Sequence, residues 1–226
     1  LFLRKRLVNG GIVAKEYGHE FEMMLSEMFE HYKWRVLERA YKIKQNGKVI
    51  TDCDLMVYCK GMLLIVQAKA ITKGKGPHDQ WSALNTVKLG VLQAKKCTDS
   101  LGKQLGTINK KYNVEIRKIQ PVVVTANYLI NTVVIDDVPV ISADYLLSLL
   151  GGAKVSVHTE GSDDYYLKDT YLPNDWKVEE FAELLYESYE WNVDLEKVKE
   201  KVKYQSCGKY IFEIPHIEET DVVVVG

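Results

Sequence analysis

Two short stretches of the sequence place acidic, amide and ammonium side chains at matched distances from a tight turn. The first stretch contains Asp52 and Asp54, the second contains Gln67 and Lys69, and Lys60-Gly61 lies midway between them. If Lys60-Gly61 is the tip of a hairpin, antiparallel pairing sets Asp54 beside Gln67 and Asp52 beside Lys69 on one sheet face. Burying a carboxylate and an ammonium is costly unless they pair or bind a metal, so such a cluster indicates a functional site.

These groups suit metal-assisted hydrolysis of a phosphodiester. That reaction needs a divalent cation held by hard oxygen ligands, and a group that orients or activates the attacking water. A carboxylate such as Asp54 suits the first task and an ammonium such as Lys69 suits the second. A purely structural ion pair between Asp52 and Lys69 is the alternative that the spacing leaves open.

The elements around this hairpin follow from the periodicity of the apolar residues. In order, they are a helix (about 14–32), three strands (34–43, 49–59 and 62–71), a long helix (about 80–105), two strands (119–126 and 138–141) and a short helix (144–150). Ser142 is expected to cap the short helix, and Trp81 is expected in the core. This order predicts an α/β fold with a mixed central sheet flanked by helices.

The character of the chain changes after Gly152. The segments expected there are two acidic amphipathic helices (about 178–191 and 193–204) and two short strands (210–214 and 222–225). We therefore predict two domains, residues 1–152 and an acidic α/β C-terminal extension of residues 153–226. The extension would serve partner binding, dimerisation or regulation.

Charge is unevenly spread, although the formal net charge is only −1. Between Lys60 and Lys118 there are twelve Lys or Arg residues against three acids, which favours a nucleic-acid partner for this part of the chain. The side chains expected to contact phosphates are Lys73, Lys75, Lys88, Lys95 and Lys96. An ordinary solvated helix face is the alternative for the three lysines of the long helix.

Other features narrow the class of protein. The four cysteines have no CxxC spacing, so neither a zinc site nor a disulfide is expected. No apolar run is long enough for a membrane span, and the start of the sequence does not resemble a signal peptide, which predicts a cytoplasmic protein without membrane association. The sequence begins at Leu1 rather than Met, and whether it is a fragment of a longer chain stays open.

Asp54, twelve further residues and then Gln67-Ala68-Lys69 resemble the Asp…(Glu/Gln)-x-Lys signature of PD-(D/E)XK nucleases. The Gln form is similar to that of Mrr-like restriction endonucleases. Upstream, the segment Gly18-His19-Glu20-Phe21-Glu22 is similar to the Phe-Glu helix of these enzymes, and the resemblance extends downstream through the strand that ends at Ser142. It covers about residues 12–150.

The resemblance implies a restriction-endonuclease-like α-β-β-β-α-β core and an endonuclease that cuts DNA with Mg²⁺, or with Mn²⁺ in its place, in restriction or defence. Asp54 would be the main metal ligand, and Glu22 would add a second carboxylate directly or through water. The amide carbonyl of Gln67 and the backbone carbonyl of Ala68 would be further ligands, while Lys69 would orient or activate water.

The sequence leaves several alternatives open. Glu20 competes with Glu22 for the role of the helix-borne acid, and Gln93 is followed by Cys97 where some relatives have a Gln followed four residues later by a Tyr. The nuclease fold could instead serve as an inactive DNA- or protein-binding module, or as a structure-selective nuclease of the Holliday-junction type. The expected partners are DNA, a second copy of the chain in a homodimer, and other domains or subunits of a larger assembly.

Overall fold

The structure is a computed structural model of the chain. It describes residues 14–45, 47–71, 77–126, 133–151, 154–158, 165–169, 176–186, 198–207 and 210–219. The chain divides into two compact units, Leu1–Tyr186 and Glu187–Gly226. No helix among the described residues is long and apolar enough to cross a membrane.

The first unit begins with a helix and three strands. The elements are α1 (Ala14–His31), β1 (Arg35–Gln45), β2 (Lys48–Cys59), β3 (Met62–Lys69), α2 (Pro77–Gly102), α3 (Leu105–Tyr112), β4 (Lys118–Thr125), β5 (Val133–Ile135), β6 (Val138–Ser142), α4 (Ala143–Gly151), β7 (Lys154–His158), β8 (Tyr165–Asp169) and α5 (Val178–Tyr186). The predicted cap of α4 is confirmed, because the Tyr145 N–H donates to Ser142 Oγ at 3.1 Å.

A six-stranded mixed sheet lies at the centre of this unit, with strand order β1-β2-β3-β4-β6-β5. Neighbouring strands from β1 to β3 are antiparallel, β3, β4 and β6 run parallel, and β5 is an antiparallel edge strand. The prediction of an α/β fold with a mixed central sheet flanked by helices is confirmed. The helices α2 and α3 make the crossover that the parallel β3–β4 pair requires.

Apolar side chains alternate between the two faces of the sheet and make a core on each. On one face, Leu55, Val57, Leu64 and Val66 pack against α1, α4 and α5. On the other, Met56, Leu63 and Ile65 pack against α2 and α3, and a third cluster joins α2 to β4 and β6. Because β2 and β3 are covered on both sides, their ends are held firmly between helices.

Two sequence predictions for the first unit need correction. The long helix ends at Gly102 rather than near residue 105, and a separate helix, α3, which the sequence did not predict, follows at Leu105–Tyr112. Trp81 is 64% exposed instead of lying in the core. It precedes the buried Gly90 by nine positions, and at 100° per residue the two residues lie on opposite sides of α2.

The second unit contains a hairpin of β9 (Val198–Cys207) and β10 (Tyr210–Glu219). A helix over 193–204 was therefore wrong for residues 198–204, because antiparallel pairing with β10 supplies the backbone hydrogen bonds that a helix would otherwise make. The predicted strand at 222–225 lies outside the described residues. The two compact units divide after Tyr186. The predicted domain boundary at Gly152 and the separate role given to residues 153–226 stay predictions.

Candidate active site

The β2–β3 hairpin sets the positions of the candidate site residues. Lys60 and Gly61 form its tip, both with positive φ angles (47° and 91°), as the tight turns between paired strands require. The ladder runs from Cys59 opposite Met62 to Leu55 opposite Val66, which confirms the register that the tip predicted.

Beyond Leu55 and Val66, hydrogen bonds between side chains and backbone replace the ladder. The Ala68 N–H donates to Asp54 Oδ2 at 2.8 Å, and Gln67 Nε2 donates to the backbone oxygen of Asp52 at 2.6 Å. The predicted neighbours Asp54/Gln67 and Asp52/Lys69 are not part of the ladder. The ammonium of Lys69 instead lies 3.9 Å from Asp54 Oδ2.

The Lys69 ammonium is held at the centre of the cluster. It donates to Gln93 Oε1 at 2.9 Å and to Gln67 Oε1 at 3.4 Å, and its side chain is only 17% exposed. Its stem passes over Gly90 of α2, where an added Cβ would lie 2.8 Å from Lys69 Cε. A glycine at this position therefore gives the lysine its path between helix and sheet.

Gln93 and Cys97 of α2 also belong to the cluster, although the sequence did not assign them a role. Gln93 Nε2 donates to Asp52 Oδ1 at 3.1 Å, and Cys97 Sγ donates to the backbone oxygen of Asp52 at 3.1 Å. The signal in the sequence was a glutamine and a cysteine four residues apart, because this spacing faces both toward the same strand. Asp52 is thus fixed by α2 at its carboxylate and at its backbone.

The first helix contributes Glu22. It is half-buried next to the core residue Phe21, whereas Glu20 is exposed. Burial raises the pKa of Glu22, and the negative charge of Asp54 raises it further, while His19 and Lys69 lower it. Glu22 therefore interacts electrostatically with Asp54 and Lys69 of the cluster.

The pKa of Asp54 is also raised, chiefly because its carboxyl is buried. Lys69 and the Ala68 N–H lower this pKa, and Asp52 raises it, so one ammonium does not neutralise the carboxylates around it. A divalent cation would relieve that repulsion, and carboxylate and carbonyl oxygens are the ligands that Mg²⁺ prefers. The donor set therefore fits such an ion.

The geometry limits which donors would hold a cation. Within the described part of the chain, no three His, Cys, Asp or Glu side chains are grouped closely enough to hold a metal. Gln67 is 0% exposed, and its amide is bonded at both ends, to Asp52 and to Lys69. A metal would therefore rely on Asp54, the Ala68 carbonyl and water, with Glu22 in the outer shell, and a ligand role for Gln67 would require its oxygen to leave Lys69.

The predicted phosphate contacts are only partly brought to the site. Lys73 and Lys75 lie outside the described residues, and Lys88, Lys95 and Lys96 are exposed on α2. Gly90 and Gln93 mark the side of α2 that faces the site. At 100° per residue, Lys88 and Lys95 point about 140–160° away from Gly90, while Lys96 points about 60° away from Gln93. Lys95 donates to the backbone oxygen of Asp136 at 2.9 Å. Of the three helix lysines, Lys96 is the one whose direction around α2 is closest to that of Gln93.

No protein-family model matches the chain, and no curated protein is significantly similar to it. The observations that define its class are therefore structural: a mixed α/β sheet whose antiparallel hairpin ends in an Asp-Gln-Lys cluster. The functional inference rests on the chemistry of that cluster.

Proposed function

We propose that this chain is a Mg²⁺-dependent endonuclease that hydrolyses DNA phosphodiester bonds, on a restriction-endonuclease-like core of the PD-(D/E)XK type. One observation carries the proposal: Asp54, with a raised pKa, lies 3.9 Å from the ammonium of Lys69 where the β2–β3 ladder ends. Perturbed carboxylates beside a held ammonium are typical of catalytic sites.

The element order supports the fold assignment. Helix α1, the three antiparallel strands, the crossover through α2 and the parallel strand β4 follow one another as the predicted α-β-β-β-α-β core requires, with α3 as an addition. The site residues come from α1, β2 and β3, and α2 supports them from the other side. The narrower assignment to Mrr-like restriction enzymes, and a role in restriction or defence, stay predictions.

Each residue of the cluster has a defined task in the proposed reaction. A bound Mg²⁺ or Mn²⁺ would polarise the phosphate and acidify a water. Asp54 would hold it through Oδ1, which accepts no hydrogen bond from any described residue, while the Ala68 N–H fixes Oδ2. The Lys69 ammonium, aimed by Gln93, would orient the attacking water and stabilise charge that develops on the phosphate.

The test is cleavage of supercoiled plasmid with Mg²⁺, Mn²⁺ or EDTA. Nicking is expected with either metal and not with EDTA, and Lys69→Ala should reduce it by about 10²- to 10³-fold because a group that acts in the transition state is lost. Lys88→Ala is the matched control, since this exposed lysine points away from the site. Metal-independent cleavage, or equal rates for both variants, would refute the proposal.

Gly90→Ala is a second test variant, which keeps Lys69 but displaces its side chain. The added methyl would meet Lys69 Cε at 2.8 Å, and the flexible side chain would have to shift. Helix propensity favours alanine by about 1 kcal/mol, so the melting temperature should hold or rise while cleavage falls. A loss of activity without a loss of stability would identify positioning of Lys69 as the cause.

Glu22 and Glu20 form a natural pair for assigning the acid of α1. Glu22→Gln should slow cleavage by about 10-fold or more, because it removes a carboxylate that interacts with Asp54 and Lys69. Glu20→Gln, two residues away on the exposed side, should leave the rate within about twofold. The same plasmid assay decides, and the reverse ranking would transfer the role to Glu20.

A catalytically inactive nuclease-fold module that binds DNA or protein is the second candidate. Its support is that Gln67 is bonded at both ends and that no described group of three acids could hold a metal. This candidate predicts metal-independent DNA binding without cleavage, unchanged by Asp54→Ala. Comparing cleavage of linear, branched and single-stranded DNA in the same assay would distinguish a structure-selective nuclease from one that cuts ordinary duplex DNA. The homodimer, the larger assembly and the cytoplasmic location stay predictions.

A further inference from the structure

A second basic feature lies at the opposite end of the β2–β3 hairpin from the candidate active site. It is a cavity of about 450 Å³. Its walls come from the hairpin tip, the start of β4 and the segment that enters α5, namely Lys60, Gly61, Arg117, Lys118, Trp176, Lys177, Val178 and Glu179. Six residues of extended strand separate Asp54 from Lys60, which places the two sites roughly 20 Å apart.

The charge in this cavity is strongly positive. Four cationic side chains line it, against the single carboxylate of Glu179. Within the described residues, the only ion pairs are Lys69–Asp54 and Lys111–Glu38, so no cation of the cavity is paired with a carboxylate. Four unpaired cations around one concave space produce a focused positive potential that attracts an anion.

Two of the cations are held in place by the backbone. Arg117 Nη2 donates to the Lys60 carbonyl at 3.0 Å, and its guanidinium covers Gly61 so closely that a Cβ there would lie 2.6 Å from Arg117 Nε. Lys60 Nζ donates to the Trp176 carbonyl at 2.9 Å and lies 4.2 Å from the centre of the Trp176 ring. Gly61 therefore has a second role besides the turn, because it leaves room for the guanidinium.

The wall of the cavity that contains Trp176 is also held in place. The rings of Trp176 and Trp34 stack at 5.5 Å with an angle of 14°, which joins this wall to the core. Helix α5 begins at Val178, and its N-terminus adds partial positive charge to the same space. The Trp176 ring already contacts the Lys60 ammonium and the Trp34 ring, so a ligand would be recognised through charge rather than through stacking on this ring.

We infer that this cavity is a binding site for a phosphate monoester, carried by a free nucleotide or by the phosphorylated end of a nucleic-acid strand. A monoester carries about −1.5 to −2 charges at neutral pH, which matches the excess of cations. The planar guanidinium of Arg117 suits paired contacts to phosphate oxygens. The volume lies within the range of small-molecule pockets, about 300–1,000 Å³, and suits a mononucleotide better than a duplex segment.

Isothermal titration calorimetry in EDTA tests this inference without any nuclease reaction. Adenosine 5′-monophosphate should bind and adenosine should not, and a 5′-phosphorylated oligonucleotide should bind more tightly than its 5′-hydroxyl form. Comparable affinities for the nucleotide and the phosphorylated strand would identify free nucleotides as the source. Much tighter binding of the strand would identify phosphorylated ends.

Variants connect the binding to the cavity. Arg117→Gln should raise the dissociation constant of the monophosphate about tenfold or more, because charge-assisted hydrogen bonds are lost. Lys177→Gln should weaken binding severalfold with little effect on folding, since the Lys177 side chain bonds to no described residue, and Glu179→Gln should tighten it. Lys103→Gln, at an exposed position in the turn after α2, removes the same charge elsewhere and should not change binding of the monophosphate.

The inference does not rest on the proposed nuclease, and Asp54→Asn should bind the monophosphate as the wild type does. Equal affinity for adenosine and its monophosphate would overturn the inference. So would equal effects of Lys177→Gln and Lys103→Gln, or no binding at millimolar nucleotide in low salt.

Discussion

Replacing Asp54 with asparagine should abolish plasmid cleavage and, in EDTA at neutral pH, make the fold more stable. The substitution keeps the shape of the side chain and an oxygen that can accept the Ala68 N–H, but it removes the carboxylate that would hold the metal. Metal-ion catalysis contributes several kcal/mol, so a loss of more than about 10³-fold is expected.

The gain in stability follows from the sign of the pKa shift. Burial raises the pKa of Asp54 in the folded protein above its ordinary value, so the folded state binds the proton more tightly than the unfolded state. Stability therefore falls as the pH rises through that pKa, and the penalty is complete once the carboxyl is ionised in the folded protein. Asparagine is never ionised, so the variant escapes the penalty, and its advantage should disappear in acid.

Melting curves of the wild type and Asp54→Asn at several pH values, with and without Mg²⁺, make this measurable. Mg²⁺ should raise the melting temperature of the wild type and leave that of the variant unchanged, because a ligand that binds only the folded site stabilises it. Asp99→Asn, exposed on α2, is the control for the loss of one negative charge. If the Asp54→Asn variant still cleaved plasmid, Asp54 would not be a catalytic residue.

The sequence predicted the fold well where hydrophobic periodicity was strong. Helix α1 was found because its apolar residues recur with the period of a helix, whereas β4 was found from a continuous apolar run that is typical of a strand buried on both faces. The hairpin register followed from Lys60-Gly61 alone, since the positions of the tip fix which residues pair. The segment at 198–204 was misassigned because its valines lie four residues apart, a spacing that also fits a helix.

The candidate site was only partly predictable, because pairing rules describe a regular ladder and the site lies where the ladder ends. Asp54, Lys69 and Glu22 were found from residue type and spacing. Gln93 and Gly90 were not assigned, because their roles depend on which face of α2 covers the end of β3. That packing is a tertiary property. The apolar residues of α2 do not reveal its buried face, because Leu89 and Leu92 are exposed.

Gln67 is the residue for which resemblance and geometry predict opposite results. In the PD-(D/E)XK signature that this segment resembles, an acid commonly occupies this position, so Gln67→Glu should strengthen metal binding if the side chain is a ligand. In the structure, its Nε2 donates to the Asp52 carbonyl at 2.6 Å inside a fully buried site. A carboxylate there would face a carbonyl oxygen that it cannot bond, with Asp54 close by.

We therefore expect Gln67→Glu to destabilise the metal-free protein by about 2–4 kcal/mol, a fall of roughly 5–15 °C in melting temperature. Gln67→Met, of similar length and without charge, should cost less. Burial would raise the pKa of the new carboxyl above its unfolded value near 4.3, so the penalty should be full at neutral pH and vanish in acid, where the protonated group can donate to Asp52.

Thermal unfolding of both variants across pH in EDTA, followed by Mg²⁺ titration, distinguishes the two roles. A large, pH-dependent loss with weak metal binding would mean that the amide holds the Asp52 backbone and aims Lys69, which explains why this chain has glutamine. A melting temperature like that of the wild type, with tighter Mg²⁺ binding, would mean that the side chain at this position turns toward the metal instead of bonding to Lys69.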